Sequence, residues 1–409
     1  MPEKLLPNLF RTEYGKMVAV LLRTFGLDEV ETAEDLVSET FLLAAETWGK
    51  KGLPQQPQAW LYGVAKNKAK DYLRRQQLYQ QKIRPQWQRK QPLHQSPDLD
   101  FSPIGFQDSQ LRLLFSLCHP SLSPDTQVCL SLRLLCGFGI GEIAQAFLTN
   151  KATIHKRIAR GKTRLREQLT KLELPAEQQL SERLDSVLTT LYLLFNEGYY
   201  SSVSSEGFRE NLCADAIRLT LLLTTYSPTE KPKVYALLAL MCFQSSRFKA
   251  RINPSGDFIT YADQDRSLWD KRLILQGRHF MGKATADGQL SRYQLEAAIA
   301  LLHTETDESA QKWPHILALY NRLLQLQYSP VAALNRTYAY SRVHGPKKAL
   351  VEALKIQLAG NVNYHLLLGE LYQQTANTTE AIVHWQQAIA LTKDPAGQRM
   401  IQQKFQQND

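Results

Sequence analysis

The sequence predicts an all-α protein: two small helical domains, the second a helix-turn-helix, followed by a larger domain of paired helices resembling helical repeats. Three observations carry this expectation. Apolar residues recur at i, i+3, i+4 and i+7 through nearly every segment. The chain has 409 residues, too many for one ordinary core. Its charge is also uneven, with 25 Lys+Arg against 17 Asp+Glu through Pro175 and 24 against 22 beyond it. The basic excess therefore lies in the first part, which suits a polyanionic partner. A hydrophobic content of 44% with 22% charged residues excludes disordered and membrane classes, and the apolar runs fall short of spanning length. The N-terminus lacks the pattern of a secretory signal, so a cytoplasmic protein is expected.

The first domain is expected over residues 1–77. From Leu5 to about Trp48, Phe10, Tyr14, Met17, Val18, Leu21 and Leu22 form one apolar stripe, interrupted at Gly26. A second helix is expected to start at Thr32 as N-cap, with Glu34 and Asp35 in the first turn, where acidic groups complement the helix dipole. Leu36, Val37, Phe41 and Leu42 form its core side. Glu34, Asp35, Ser38 and Glu39 form an exposed acidic side, either simple dipole chemistry or a docking face for a basic protein. Lys50–Pro54 reads as a turn, and Pro57 suits the first position of a third helix. On that helix Leu61, Ala65, Ala69 and Tyr72 face inward, widened by Val64 and Leu73. Lys66, Lys70 and Arg74 form a cationic row beside Asn67, Asp71 and Arg75, with Asp71 expected to pair with Arg75.

Residues 78–108 change character, with many Gln, prolines at 85, 92, 97 and 103, and charges at Lys82, Arg84, Arg89, Lys90, Asp98, Asp100 and Asp108. This reads as an extended linker. Residues 109–173 are helical again and end in a helix-turn-helix outline. Glu142–Phe147 is the first helix, Leu148 and Thr149 the turn, and Asn150 the N-cap of the second. Ile154, Ile158, Leu165 and Leu169 point inward. Lys151, His155, Lys156, Arg157, Arg160, Lys162, Arg164 and Arg166 cover the other faces, a form suited to the DNA major groove. Gly161-Lys162-Thr163 is not a phosphate loop, since Lys156 stands where the leading glycine is needed.

Residues 174–409 form the remaining domain. Tyr364–Tyr372, with Gly369, followed by Ala381, Trp385 and Ala388, resembles a tetratricopeptide repeat, and Ala333–Ala339 with Ala349 resembles a weaker copy. Asp263, Asp265 and Arg266 beside Trp269, and Glu197 after Phe195-Asn196, fit a buried ion-pair network better than a catalytic pocket. The five cysteines lack metal or disulfide spacing and read as buried thiols.

Three segments in order resemble RNA polymerase sigma factors of the sigma-70 family, in the compact extracytoplasmic-function group. Ala33–Phe41 is similar to the family's polymerase-binding helix, Ala59–Arg75 to its minus-ten recognition and melting helix, and the segment around Ile143 and Thr153-Ile154 to its minus-thirty-five reader. Leu191–Tyr199, Asp263–Trp269 and Tyr293–Ala300 are similar to a subgroup bearing a C-terminal helical extension. The resemblance implies minus-ten contacts from Trp60, Lys66, Asn67, Lys68, Lys70, Arg74 and Arg75. It implies minus-thirty-five contacts from Lys151, Thr153, His155, Lys156, Arg157 and Arg160, and polymerase contacts from Glu34, Asp35 and Glu39. Core RNA polymerase and promoter DNA are the implied partners, with a protein partner or an intramolecular contact for the C-terminal domain. No cofactor, metal or catalytic residue is implied, because the polymerase does the chemistry. Two departures stand out: Leu148 in the turn, and Gly161 within the reading helix. A helix-turn-helix regulator with a repeat sensor is the competing reading; it leaves Trp60–Arg75 without a role.

Overall fold

A computed structural model describes residues 2–83, 99–147, 149–169, 171–200, 206–251, 259, 261–285, 290–305, 309–392, 398–399 and 401–402. Among these the chain is all-α, with seventeen α-helices and no strand. It divides into two compact units, one formed by 1–197 with 221–230, the other by 198–220 with 231–409. Leu148 and residues 84–98 of the expected linker lie outside the described residues.

In the first unit, α1 (Pro2–Phe25) is the central helix, with Tyr14, Met17, Val18, Leu21 and Leu22 buried. Gly26 ends it at φ +88°, a conformation open to glycine, and its N–H donates to the Leu22 carbonyl at 2.9 Å. A 3-10 turn over Leu27–Glu29 leads into α2 (Val30–Lys51). The helix thus starts before Thr32, whose hydroxyl donates to Glu29 Oε2 at 2.7 Å instead of capping. Two further expectations for α2 are corrected. Leu42 is 65% exposed, and Glu34, expected on the open acidic face, is only 6% exposed. The helix is rotated so that Ala33, Glu34, Val37, Phe41, Ala44 and Trp48 point inward.

After Gly52, at φ +82°, α3 runs from Pro57 to Ile83. It passes Gln77 because the residues that follow are fair helix formers, and the first proline stands at 85. Helix α4 (Pro103–Leu117) is capped by Ser102, whose hydroxyl accepts from the Gly105 amide at 3.1 Å. It packs on α1, where Arg23 pairs with Asp108 at 2.7 Å. Then follow α5 (Pro124–Leu134), α6 (Ile140–Ala146), α7 (Lys151–Gln168) and α8 (Glu177–Tyr200). Gly15 of α1 lies so close to the Leu135 carbonyl that a Cβ there would collide with it. The first half of α8 packs back on this unit: Arg183 donates to the Phe115 carbonyl at 2.5 Å, and Thr190 to Gln127 Oε1 at 2.7 Å. The unit therefore continues past Pro175.

The second unit contains most of α9 (Glu206–Leu222), and α10 (Pro232–Ser245), whose residues from Val234 to Phe243 are all buried. Around α10 pack α11 (Lys271–Ala284) and α12 (Arg292–Thr304), and Gly277 of α11 fits beneath the Phe243 ring. Helix α13 (Lys312–Leu326) then leads to two helical hairpins, α14 (Pro330–His344) with α15 (Pro346–Ala353), and α16 (Val362–Gln374) with α17 (Thr378–Leu391). Small residues set their spacing. Ala349, Ala353, Ala381 and Ala388 are fully buried, and Gly369 lies against the Trp385 indole.

Asp265 is exposed and caps the Ser267 amide at 2.8 Å, while Arg266 lies 5.8 Å from the Trp269 ring centre. Asp265 is therefore a turn-forming residue rather than a buried member of an ion-pair network.

Candidate nucleic-acid interface

Two carboxylates from outside α3 hold that helix in place. Glu13 of α1 is 1% exposed and accepts from Gln58 Nε2 at 3.0 Å, Tyr62 Oη at 2.5 Å and Lys16 Nζ at 3.0 Å. Toward the other end, Glu29 accepts from Tyr72 Oη at 2.8 Å and Gln76 Nε2 at 3.4 Å. Burial, followed by the adjoining carboxylate, pushes both phenols above their ordinary pKa, so they remain neutral donors. Between these anchors Leu61, Ala65 and Ala69 are fully buried.

The inward face fixes what points outward. Lys66, Asn67, Lys70, Arg74 and Arg75 are exposed on one side of α3. Two expected contacts differ. Lys68 is turned toward α2 and paired with Glu39 at 2.7 Å, and Trp60 is half-buried, edge-on to Trp48 with ring centres 5.4 Å apart. Asp71 pairs with Arg74 at 3.5 Å, one residue before the expected Arg75.

The helix-turn-helix is set by local chemistry. Glu142 accepts from the Gly139 amide at 2.7 Å to start α6, and Asn150 Oδ1 accepts from the Thr153 amide at 2.8 Å to start α7. Ile154, Ile158 and Leu165 are buried, whereas Leu169 is half-buried at the helix end. Gly161 has a packing reason: a Cβ there would lie 2.7 Å from Thr126 Cγ2 and 2.9 Å from Leu130 Cδ1. The first part of α7 is open, with Lys151, Thr153, His155, Lys156 and Arg160 exposed. Thr153, Lys156, Arg157 and Arg160 line a cleft shared with Ser123 and Thr126 at the start of α5. Arg157 also leans inward, 3.5 Å from Asp125 and 3.9 Å from Cys129 Sγ, with its guanidinium 5.6 Å from the Phe147 ring centre. It can support the hairpin as well as face the cleft.

The last part of α7 turns toward α2. Glu34 accepts from Arg133 Nε at 2.6 Å and Tyr14 Oη at 3.2 Å on one oxygen, and from Lys162 Nζ at 2.6 Å on the other. Burial, and then the charge of Glu34, raises the Tyr14 phenol. Beside it, Glu31 meets Lys162 at 3.3 Å and Arg166, while Arg166 Nε donates to the Leu27 carbonyl at 3.2 Å. Burial alone would raise the Glu31 carboxyl, but its own backbone amide, Lys162 and Arg166 hold it below its ordinary value. Asp35 and Glu39 remain exposed on α2, beside the apolar Leu42 and Leu43. Sequence reasoning missed Glu13, Glu29 and the grouping at Glu34, because no local pattern marks their distant partners.

Arranged in this way, the unit offers one cationic and amide-bearing helix face held rigid by its neighbours, and a separate basic helix presented after a tight turn. Comparison with known proteins agrees with that arrangement. Residues 9–79 match Sigma-70 region 2, residues 112–165 match Sigma-70, region 4, and residues 183–285 match a family of unknown function, DUF6596. An uncharacterized protein of Rhizobium meliloti (strain 1021) is 36% identical over 386 residues, covering 91% of this chain and 89% of the relative. No solved structure matches the chain. With both regions present in order on the two helical platforms described above, the chain belongs to the sigma-70 family.

Proposed function

We propose that the chain is a promoter-specificity subunit of the extracytoplasmic-function group, acting in the cytoplasm, which directs core RNA polymerase to promoters and assists strand opening. The observation that carries this reading is the exposed row Lys66, Asn67, Lys70, Arg74 and Arg75 on a helix anchored by Glu13 and Glu29. Opening a duplex requires an unstacked base to be held by polar groups and its backbone by cations. Asn67 is assigned the base edge, and the flanking cations the phosphates. Lys68 and Trp60 contribute chiefly by fixing α3 on α2, through Glu39 and Trp48.

Lys151, Thr153, His155, Lys156 and Arg160 are assigned to the upstream element, with Arg157 reaching it from its seat beside Asp125. Asp35 and Glu39, with the exposed Leu42 and Leu43, form the polymerase-facing side of α2, since an apolar patch with a charged rim suits a protein contact. Glu34 is withdrawn from that surface, buried against Arg133, Tyr14 and Lys162. The hairpins α14–α15 and α16–α17 support a tetratricopeptide-like reading of the C-terminal domain through their buried small residues, Ala349, Ala381, Ala388 and Gly369. That domain is assigned a regulatory role through a protein partner or an intramolecular contact. No cofactor enters this reading.

The test combines polymerase pull-down with mapping of transcription start sites after overexpression. Co-purification with core polymerase and new starts sharing two upstream elements support the proposal. DNA binding without polymerase binding would transfer the chain to the regulator reading.

A further inference from the structure

We propose that the cleft between α14 and α16 is a binding site for a free amino acid, with Arg342 pairing with its carboxylate and Glu370 with its ammonium. Use of that ligand as a signal rests on the regulatory role assigned to the C-terminal domain above; the binding itself does not. The cleft has a volume of about 160 Å3. Tyr338, Ser341 and Arg342 line it from α14, and Glu370 and Gln374 from α16. An apolar core sets the two helices, with Ala333 and Leu334 packed among Leu367, Leu368 and Leu371. The charged groups on the walls are therefore not needed to hold the helices together.

Arg342 and Glu370 share the cleft without pairing with each other or with any other described residue, and the Gln374 side chain has no hydrogen bond among the described residues. Charges elsewhere in the same hairpins do find partners: Glu352 meets Arg336 at 3.3 Å and Lys355 at 2.5 Å. Arg342 is instead seated on an aromatic face, its guanidinium 5.3 Å from the Trp313 ring centre, and Trp313 is edge-on to Tyr338 at 5.5 Å. That contact orients a guanidinium while leaving its N–H donors available for a planar carboxylate. The Trp313 indole N–H is itself buried with no acceptor among the described residues, a further unmatched donor beside the Arg342 seat. Unlike charges that line one cleft without meeting suit a ligand that carries both signs. An anion alone leaves Glu370 unanswered, a cation alone leaves Arg342 so, and a peptide C-terminus replaces the ammonium with an amide. A free amino acid presents both groups on one carbon. The volume lies below the ~300 Å3 at which drug-sized sites begin, which also selects a small molecule. Leu367 and Leu371 at the cleft offer apolar contact for its side chain.

Isothermal titration of the full chain with each of the twenty standard amino acids tests the proposal. An amino acid that binds is then compared with its amide, which lacks the carboxylate, its N-acetyl derivative, which lacks the ammonium, and a tripeptide ending in the same residue. One-to-one binding of at least one free amino acid is expected, weaker by roughly tenfold or more for each of the three derivatives. Arg342→Gln and Glu370→Gln should each weaken it to a similar degree, and because Arg342 is exposed and Glu370 half-buried, both variants should keep the parent's helical circular dichroism. Lys347→Gln removes an exposed cation outside the cleft and should bind as the parent does. Failure of all twenty to bind, binding that survives in both cleft variants, or a tripeptide that binds as tightly as the free amino acid would overturn the site. A bound amino acid that leaves transcription from a mapped promoter unchanged would overturn its use as a signal and leave the site standing.

Discussion

Replacing Glu13 by alanine removes the carboxylate that ties the first turns of α3 to α1. Three donors converge on this group, from Gln58 at 3.0 Å, Tyr62 at 2.5 Å and Lys16 at 3.0 Å, and its exposure is only 1%. The Lys16 bond is a local i,i+3 pair whose ammonium can return to water, so it contributes little. The Gln58 and Tyr62 bonds cross between helices to a charged acceptor; at about 1.5 kcal/mol each they total about 3 kcal/mol. For a unit of this size that lowers the melting temperature by roughly 6–12 °C. Glu13→Gln, which retains one acceptor oxygen, should lose about half as much. Thermal denaturation gives the total, and hydrogen exchange on α3 amides shows whether the loss is felt where expected. Melting of the alanine variant within about 1 °C of the parent, with α3 exchange unchanged, would refute the anchoring role.

Other consequences can be checked in the same preparations. Gly161→Ala gains about 1 kcal/mol of helix propensity but forces a methyl group against Thr126 and Leu130, so a net loss of about 1 kcal/mol is expected; a higher melting temperature would contradict the packing account. Gly369→Ala places a methyl group into the Trp385 indole and should destabilise the last hairpin by about 1–3 kcal/mol, read as faster exchange in α16 and α17; unchanged exchange would speak against it. The first unit should also weaken in acid. The Glu31 carboxyl is depressed when it faces Lys162 and Arg166, so its contribution is present above the ordinary carboxylate pKa of about 4.3 and is lost as pH falls through the depressed value. Lys162 also pairs with the neighbouring Glu34, which faces Arg133 as well. The melting temperature of Glu31→Gln should therefore lie below that of the parent at neutral pH and approach it as the pH falls, because the parent loses this contribution in acid; a gap that persists unchanged in acid would contradict the assignment.

The fold class was legible because its signals are local. Gly26 marks the end of α1, Pro57 the start of α3, and Asn150 the start of α7, each through backbone chemistry readable within a few residues. The cationic row of α3 follows from the burial of Leu61, Ala65 and Ala69, again a matter of helical spacing. Glu34 was different. Within α2 it belongs to an acidic run that looks exposed, and its burial is decided by Arg133 and Lys162, 99 and 128 residues away. The Glu13–Tyr62 and Glu29–Tyr72 anchors likewise join positions 49 and 43 residues apart, with no periodic pattern to link them. Gly161 looked like a weak point in a helix until α5 was seen to leave no space for a methyl group. Leu42 shows the opposite error, since an apolar residue at core spacing is left exposed on the face assigned to a partner.

The most direct test of the central claim is permanganate footprinting of a mapped promoter with core polymerase and the full chain. Reactive, unpaired thymines in the minus-ten element are predicted with the parent chain, and their loss with Asn67→Ala at equal promoter occupancy. Opening by the Asn67 variant equal to the parent would contradict the role given to α3, and absence of opening with the folded parent chain would contradict the proposed function itself.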